Sequence, residues 1–207
     1  MRGVTVFKGY LQADKNKDIW VDGDWFNTGD LGRIDADGYI WLTGRSKDLI
    51  IRGGHNIDPQ MIEEALHKHP AVAMAAAVGK PDDKVGELPV AYVQLKPGAS
   101  VSEAELLEHA ARHVPERAAV PKDIWIIDAI PVTAVGKTFK PALRFDAMRR
   151  VLEEVLGSIA PGVSVTVVND ERHGQVAEVR VPGLDSQLQA QLEGRMAGYA
   201  VKFRLLA

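Results

Sequence analysis

Hydrophobic residues follow two different periods along this chain, and each period predicts its own kind of element. Apolar side chains at spacings of three and four residues predict four helices, at 59–69, 102–113, 141–156 and 184–196. Continuous or alternating apolar residues predict strands at 72–78, 88–95, 123–130, 163–167, 175–181 and 199–205. Because helices and strands are mixed along the sequence, the predicted fold class is α+β.

Two of the predicted helices begin with capping signals. Asp58 can accept a hydrogen bond from a free N–H group of the first turn, and Pro59 needs no donor at that position. Ser102 is followed three residues later by Glu105, which forms the pattern of a capping box. These signals place two helix starts to within a residue or two.

The first 43 residues are interpreted as the last strands of a larger domain. Leu31–Ile34 and Tyr39–Leu42 flank the turn residues DADG, which is typical of a β hairpin. Met1–Tyr10 alternates like a further strand but has no partner strand nearby. A two-stranded hairpin is only marginally stable alone, so we expect this region to be a hairpin remnant of a large domain.

Residues 44–156 are predicted to form a second, small domain, and residues 157–207 a third region. Residues 44–66 are predicted to form a basic turn, a short apolar strand at Leu49–Ile51, a glycine loop and the start of a helix. After that helix, the order strand, loop at 81–87, strand, helix, strand, helix suggests a three-stranded sheet with helices on one face. The 157–207 tail, with a turn at 169–174, predicts a ββαβ module. One helix covers only one sheet face, so the tail is expected to pack on the small domain or on a second copy as a homodimer.

Composition excludes several classes of function. The net charge of −3 offers no general attraction to nucleic acid, and no basic run stands out. The chain has no cysteine, which excludes disulfides, thiolate metal sites and a cysteine nucleophile. No apolar run approaches the roughly 18 residues of a membrane span, and no signal pattern precedes the first strand. We therefore expect a cytoplasmic protein.

Three motifs identify a family resemblance. WFNTGD at Trp25–Asp30, GRSKDLIIRGGHNIDP at Gly44–Pro59 and PVTAVGK at Pro131–Lys137 occur in the order and at the spacings of the adenylate-forming (AMP-binding) acyl-CoA synthetase superfamily. The chain resembles the C-terminal portion of such an enzyme. The resemblance implies that 44–156 is the small mobile C-terminal domain and that a large ATP-binding domain is its partner.

The resemblance also implies nucleotide-binding and catalytic residues. Lys137 matches the family's catalytic lysine, which would stand beside the carboxylate and the α-phosphate during adenylation. Asp30 matches the carboxylate that accepts hydrogen bonds from the ribose hydroxyls, and Arg45 the arginine near the nucleotide. Where relatives commonly carry a basic residue after the first proline of the lysine motif, this chain has Val132.

Four further positions follow from the same resemblance. Lys47 occupies the hinge about which the small domain would rotate between the two half-reactions, the domain alternation of the family. Gly53, Gly54 and His55 match the loop beside the CoA pantetheine tunnel, where missing side chains leave room for a thiol arm.

Acidic and histidine side chains elsewhere in the sequence are given no catalytic role. The resemblance places a glutamate at position 61, where this chain has Met61. We interpret Glu63 and Glu64, which follow it, as part of a solvated helix face. No metal site is predicted, because His67, His69, His109, His113 and His173 form no recognisable triad. Mg²⁺ would arrive with ATP, and no tightly bound cofactor is expected.

The predicted function is the C-terminal part of an ATP-dependent acyl-CoA synthetase, an acid–thiol ligase of fatty acid or similar carboxylate metabolism. We expect the isolated chain to be inactive, since the phosphate loop and acyl pocket would lie in the preceding domain. One alternative is a regulatory or interaction module that docks on a synthetase or carrier protein. Another is an adenylating ligase that loads a carrier protein instead of CoA.

Overall fold

A computed structural model describes residues 1–170, 172 and 174–207 of the chain. The chain divides into two compact units, residues 1–47 and residues 48–207, which are described separately. The domain boundaries predicted after residues 43 and 156 stay predictions. None of the described helices is long and apolar enough to cross a membrane.

The first unit contains two antiparallel hairpins. One is formed by β1 (Trp20–Val21) and β2 (Trp25–Phe26), and the other by β3 (Asp30–Ile34) and β4 (Ile40–Arg45). The second hairpin confirms the prediction around the DADG turn. It ends in a short 3₁₀ turn at Ser46–Asp48, across the boundary between the units.

The strand predicted at Met1–Tyr10 is wrong. This segment forms no ladder with any described residue; instead, the Phe7 ring packs edge-on against Tyr10 and Phe26, at centroid distances of 4.9 and 5.1 Å. A strand depends on backbone pairing with a neighbour, so an alternating pattern without a partner does not produce one.

The second unit is built on a five-stranded sheet rather than the predicted three-stranded one. Its strands are β5 (Ile50–Arg52), β6 (His55–Ile57), β7 (Val72–Asp82), β8 (Gly86–Leu95) and β9 (Asp123–Ile126). Their order is β6-β5-β8-β7, and β9 pairs in parallel with β8. The short strand predicted at Leu49–Ile51 corresponds to β5, although it was not assigned to the sheet, and β6 was missed because three residues carry too short a pattern. The loop predicted at 81–87 is instead a tight turn, since β7 and β8 stay paired as far as Asp82 and Gly86.

Helices cover both faces of this sheet, which corrects the prediction of one covered face. α1 (Pro59–His67) and α2 (Glu103–His113) pack against the face that carries Ala75, Ala77, Ala91 and Val93. α3 (Lys140–Gly157) packs against the opposite face, which carries Ala76, Val78, Val90 and Tyr92. β7 and β8 are continuously apolar because they are buried on both sides.

The predicted caps of α1 and α2 are confirmed. Asp58 accepts a hydrogen bond from the N–H of Gln60 at 2.9 Å, and Ser102 accepts one from the N–H of Glu105 at 3.2 Å. Each cap satisfies one of the free donors in the first helical turn.

The tail has the predicted ββαβ order. It consists of β10 (Ser164–Asp170), β11 (Gly174–Arg180), α4 (Ser186–Met196) and β12 (Lys202–Leu206). β10 pairs with β11 antiparallel, and β12 pairs with β11 in parallel. The predicted turn at 169–174 includes residues 171 and 173, which lie outside the described residues.

The tail packs on α3, as predicted for contact with the small domain. Met148, Leu152 and Leu156 of α3 join the apolar core that β10, β11 and α4 form, and Leu152 is completely buried. The N-terminal half of the same helix contributes Leu143 and Ala147 to the core beneath the large sheet. One helix therefore belongs to two hydrophobic cores.

One hydrogen bond from each sheet holds α3 in place between these cores. The buried hydroxyl of Tyr92 on β8 donates to Asp146 at 2.8 Å, and the N–H of Val165 on β10 donates to Glu153 at 3.2 Å. Within α3, Arg149 and Arg150 pair with the same Asp146 carboxylate at 2.5 and 2.6 Å. Burial raises the pKa of Asp146, but the hydrogen bonds from Arg149, Arg150 and Tyr92 outweigh it and lower that pKa overall. At the other end of the tail, Arg195 reaches Asp83 at 3.1 Å.

Removing the apolar anchor of the tail should destabilise the protein. Leu152→Ala opens a cavity in a fully buried core, so we expect the free energy of unfolding to fall by about 2–5 kcal/mol. Glu154→Ala, an exposed change on the same helix, should stay within about 0.5 kcal/mol. Urea unfolding measures both. Equal effects of the two variants would show that the tail does not depend on α3.

The Asp146 network should make part of the stability depend on pH. A carboxylate with a lowered pKa stabilises the fold above its unfolded pKa of about 3.9, and this contribution is lost as the pH falls through the lower folded value. Asp146→Asn should therefore be less stable than the unmodified protein at pH 7, by about 1–3 kcal/mol, and the difference should shrink below about pH 4. Unfolding curves between pH 7 and pH 3 test this, with the exposed Asp128→Asn as the control. A gap that stays constant down to pH 3 would contradict the assignment.

Candidate functional site

Asp30 and Arg45 form an ion pair in the first unit. They are cross-strand partners on β3 and β4, and Arg45 Nε lies 2.9 Å from Asp30 Oδ1. The side chain of Thr28 accepts the backbone N–H of Asp30 at 3.1 Å, and Gly29, with φ of +71°, makes the turn. The two predicted nucleotide-binding residues are thus brought together, and the Arg45 side chain remains 61% exposed.

A hollow of about 410 Å³ adjoins this pair within the first unit. Its lining includes Arg45, Gly29, Asn27 and the predicted hinge residue, Lys47. Ser46 ties this end of the unit to the TGD turn, because its N–H donates to the carbonyl of Gly29 at 3.0 Å. A polar hollow with a guanidinium on its wall can accept an anionic or hydroxylated ligand.

The predicted hinge residue lies where the two compact units divide. Lys47 is the last residue of the first unit, and Asp48 is the first of the second. Asp48 is held by Arg144 of α3 through a 2.8 Å contact in which both side chains are largely buried. The chain is therefore anchored immediately after Lys47, an anchor that sequence reasoning missed because its partners are 96 residues apart.

Gly53 and Gly54 form the tight turn between β5 and β6. Their φ angles of +55° and +86° fit a two-residue hairpin turn with left-handed backbone at both positions. The prediction that this glycine loop leads directly into a helix is wrong, because β6 lies between the turn and α1. His55 begins β6; its side chain is 71% exposed, and Nδ1 lies 3.8 Å from Glu116 Oε1.

A groove of about 930 Å³ lies beside this turn and carries positive charge. Gly53 and His55 line it together with three basic residues: Arg52, next to the turn, and Arg117 and Lys122 from one segment after α2. Arg52 is oriented by a hydrogen bond from Nη1 to the carbonyl of Ala118 at 2.6 Å. Sequence reasoning missed the three cations because no local pattern connects them.

Lys137 lies in a hydrogen-bonded turn after β9. The N–H of Thr133 donates to the carbonyl of Lys137 at 2.7 Å, and Gly136 has a φ of +77°. Val132 and Thr138 form a β bridge across the base of the turn. The side chain is exposed, and no residue that the structure describes makes a hydrogen bond or ion pair with its ammonium group.

Glu63 is not the solvated residue that the helix pattern suggested. Its carboxylate pairs with Lys140, the first residue of α3, at 2.7 Å, and the two side chains are only 19% and 15% exposed. The same oxygen accepts the backbone N–H of Ala77 at 2.8 Å. The interpretation holds for Glu64, which is exposed.

Three histidines cluster between α1 and α2 without forming a metal site. The centroid of the His109 ring lies 4.0 Å from that of His113 and 5.0 Å from that of His69. His109 Nε2 is 3.0 Å from the carbonyl oxygen of Ala65. The pKa of His109 is lowered, and burial of its ring is the main cause. Among the described residues no group of histidine and acidic side chains could hold a metal ion, and His173 lies outside the described residues.

The candidate residues thus fall into separate groups with distinct chemistry. The first unit places a carboxylate and a guanidinium together. The second places an exposed ammonium on one turn and a glycine turn with a cationic groove elsewhere on its surface. No hydrogen bond or ion pair between described residues joins Lys137 to the glycine turn.

Comparison with known proteins gives the family of the second unit. Residues 61–137 match the AMP-binding enzyme C-terminal domain. The chain is 44% identical over 202 residues to marinolic acid–CoA ligase of Pseudoalteromonas sp. (strain SANK 73390), and the match covers 93% of the chain, so it extends into the tail. It is 39% identical over 160 residues, 76% of the chain, to the medium-chain fatty-acid–CoA ligase of Escherichia coli (strain K12).

A solved structure is also similar to this chain in both sequence and fold. ATP-bound MatB from Rhodopseudomonas palustris is 38% identical and superposes on 67% of the chain with a TM-score of 0.61. The chain spans only 31% of the marinolic acid ligase, 28% of the medium-chain ligase and 28% of MatB. The chain therefore belongs to the adenylate-forming, AMP-binding acyl-CoA synthetase superfamily and carries its C-terminal domain.

Proposed function

We propose that the complete protein is an ATP-dependent acyl-CoA synthetase to which this chain contributes the adenylation lysine and the CoA-side surface. A carboxylic acid attacks the α-phosphate of ATP, which gives an acyl-adenylate and pyrophosphate. The thiol of CoA then attacks the acyl carbon, and AMP leaves. The substrate class that we propose is a fatty acid or similar apolar carboxylate, and Mg²⁺ enters as the partner of ATP.

One observation carries this proposal: Lys137 presents an exposed ammonium group at the end of the segment that matches the AMP-binding enzyme C-terminal domain. The adenylation step brings a carboxylate and a phosphate, both anionic, to within bonding distance. A cation beside both groups lowers the free energy of that transition state. The hydrogen-bonded turn from Thr133 to Lys137 would fix where the lysine backbone stands.

The Asp30–Arg45 pair supports a nucleotide role in the first unit. A carboxylate can accept hydrogen bonds from both hydroxyls of a ribose, and a guanidinium can pair with a phosphate oxygen. In our proposal Asp30 binds the ribose and Arg45 lies near the phosphates. The Arg45 side chain is exposed, so a ligand can reach its guanidinium group.

The groove beside the glycine turn supports a CoA role in the second unit. CoA carries phosphates at one end and a narrow pantetheine arm at the other. In our proposal the cationic wall of Arg52, Arg117 and Lys122 faces the phosphates, and the arm passes the turn of Gly53 and Gly54, where Gly53 lines the groove. An added Cβ atom at Gly53 would narrow that path.

In our proposal the second unit turns between the two steps, because the lysine turn and the glycine turn are separate sites on its surface and each serves a different step. We propose Lys47 as the hinge, because the chain divides into compact units directly after it and Asp48 is anchored to Arg144. A hinge needs free backbone torsions at a few residues next to a fixed body.

The proposal predicts a step-specific loss in Lys137→Ala of the complete protein. Adenylation should slow by at least about 10²-fold, or roughly 3 kcal/mol, because one preorganised charge is removed from its transition state. Formation of acyl-CoA from preformed acyl-adenylate should proceed near the normal rate. Two single-turnover experiments measure this, one with acid plus ATP and one with acyl-adenylate plus CoA.

Lys68→Ala is the matched control for that experiment. Lys68 is also exposed and lies just beyond α1, and its removal should leave both half-reactions unchanged. Full adenylation activity in Lys137→Ala, or equal losses in the two steps, would overturn the lysine assignment. Transfer to a carrier protein in place of CoA would keep the adenylation chemistry and correct the acceptor.

The hinge proposal predicts the opposite selectivity in Lys47→Pro. Proline fixes φ and removes an N–H, so it should hinder the rotation that only thioester formation requires. We expect thioester formation to slow by about 10-fold or more, with adenylation within about 3-fold of normal. Lys47→Ala removes the same side chain but leaves the torsions free, and it should retain both steps. If Lys47→Ala and Lys47→Pro behave alike, the effect belongs to the side chain and not to rotation.

A further inference from the structure

The Glu63–Lys140 ion pair lies at the junction of three elements of the second unit. Lys140 Nζ and Glu63 Oε1 are 2.7 Å apart, and both side chains are largely buried. The same Oε1 accepts the N–H of Ala77, on the edge strand β7, at 2.8 Å. One carboxylate therefore connects α1, β7 and the first residue of α3.

This pair fixes the point where the lysine turn enters α3. Phe139, at the N-cap position of α3, provides no side-chain cap, so the helix start lacks the usual polar anchor. A lysine in the first helical turn is also unfavourable toward the helix dipole unless an anion compensates it. Glu63 provides both the anchor and the compensating charge.

The turn that carries Lys137 lies between two fixed ends. At its start, Ile130 is buried and its N–H donates to Gln94 Oε1 at 3.0 Å. At its finish, Phe139 donates to the carbonyl of Pro131 at 2.7 Å, and Lys140 follows directly. Since the two arms of the turn are bonded to each other, the direction of the turn depends on these two anchors.

We propose that Glu63 and Lys140 are positioning residues for Lys137, an inference that rests on the proposed function. Neither residue touches the reacting atoms. Their ion pair holds the exit of the 131–139 turn, so that the ammonium of Lys137 reaches its place between carboxylate and phosphate. A displacement of about 1 Å in a catalytic group can cost on the order of 10²-fold in rate.

The test must separate positioning from folding. Removing one partner would leave a buried unpaired charge, which destabilises a protein strongly. The double variant Glu63→Gln with Lys140→Met removes both charges together; its glutamine oxygen can still accept the Ala77 N–H, so the fold should be retained. The matched control is Lys80→Met with Asp123→Asn, a second partly buried ion pair of the same sheet, at 2.5 Å.

In the complete protein, the Glu63/Lys140 double variant should lose at least about 10-fold in the rate of adenylation, or about 1.4 kcal/mol. Acyl-CoA formation from preformed acyl-adenylate should stay within about 2-fold of normal, as should both steps in the control. Lys140→Arg, which keeps the charge, should retain most of the adenylation rate. Thermal unfolding of each variant reports whether the fold is intact.

A Lys137→Ala background supplies the decisive comparison. If the pair acts through Lys137, adding the double substitution there should cost less than about 2-fold more. An unchanged adenylation rate in the double variant, equal losses in both steps, or a full loss that persists in the Lys137→Ala background would overturn the proposal. If Lys137→Ala itself leaves adenylation intact, the proposed function fails instead, so the two failures are distinguishable.

Discussion

The structure of residues 48–207 depends on the burial of both sides of one helix. α3 places Leu143 and Ala147 beneath the large sheet and Leu152 and Leu156 beneath the tail, so neither core is complete without it. Burial of apolar surface stabilises the fold whichever sheet the side chain packs against. A helix with two apolar faces therefore joins two sheets into one body. Two hydrogen bonds then fix the rotation of the helix between the sheets: the hydroxyl of Tyr92 on β8 donates to Asp146, and the N–H of Val165 on β10 donates to Glu153.

Local patterns in the sequence predict most of the elements. The four helices, the two confirmed caps and the ββαβ order of the tail all come from periodicity and short capping signals, which depend on neighbours within a turn or two of chain. Three errors have one cause: the strand predicted at Met1–Tyr10, the missed strand β6 and the missing place of β5 in the sheet. A strand depends on a partner that local sequence does not specify. The unbroken apolar runs of β7 and β8 indicate strands that are buried on both faces. A search for alternating apolar and polar residues does not detect this signal.

The candidate site shows the same division between local and distant information. Asp30, Arg45, Gly53, Gly54 and Lys137 stand in contiguous motifs, so their positions on turns and strand ends follow from the sequence. Asp48–Arg144 and Glu63–Lys140 are ion pairs between distant segments, and the cationic groove brings Arg52 together with Arg117 and Lys122 from a segment much later in the chain. Charge pairing over such separations has no period, which is why Glu63 was misinterpreted as a solvated residue.

The hydrogen bond from Ala77 to Glu63 also has a consequence for association between molecules. β7 is an eleven-residue strand at the open edge of its sheet, its first seven residues are apolar, and such edges recruit strands from other chains. The N–H of Ala77 points outward in the middle of this edge and donates to the Glu63 carboxylate, and the Lys140 ammonium is paired with the same oxygen. An incoming strand would have to displace a buried ion pair before it could form a continuous ladder. The contact therefore protects the molecule from edge-to-edge aggregation.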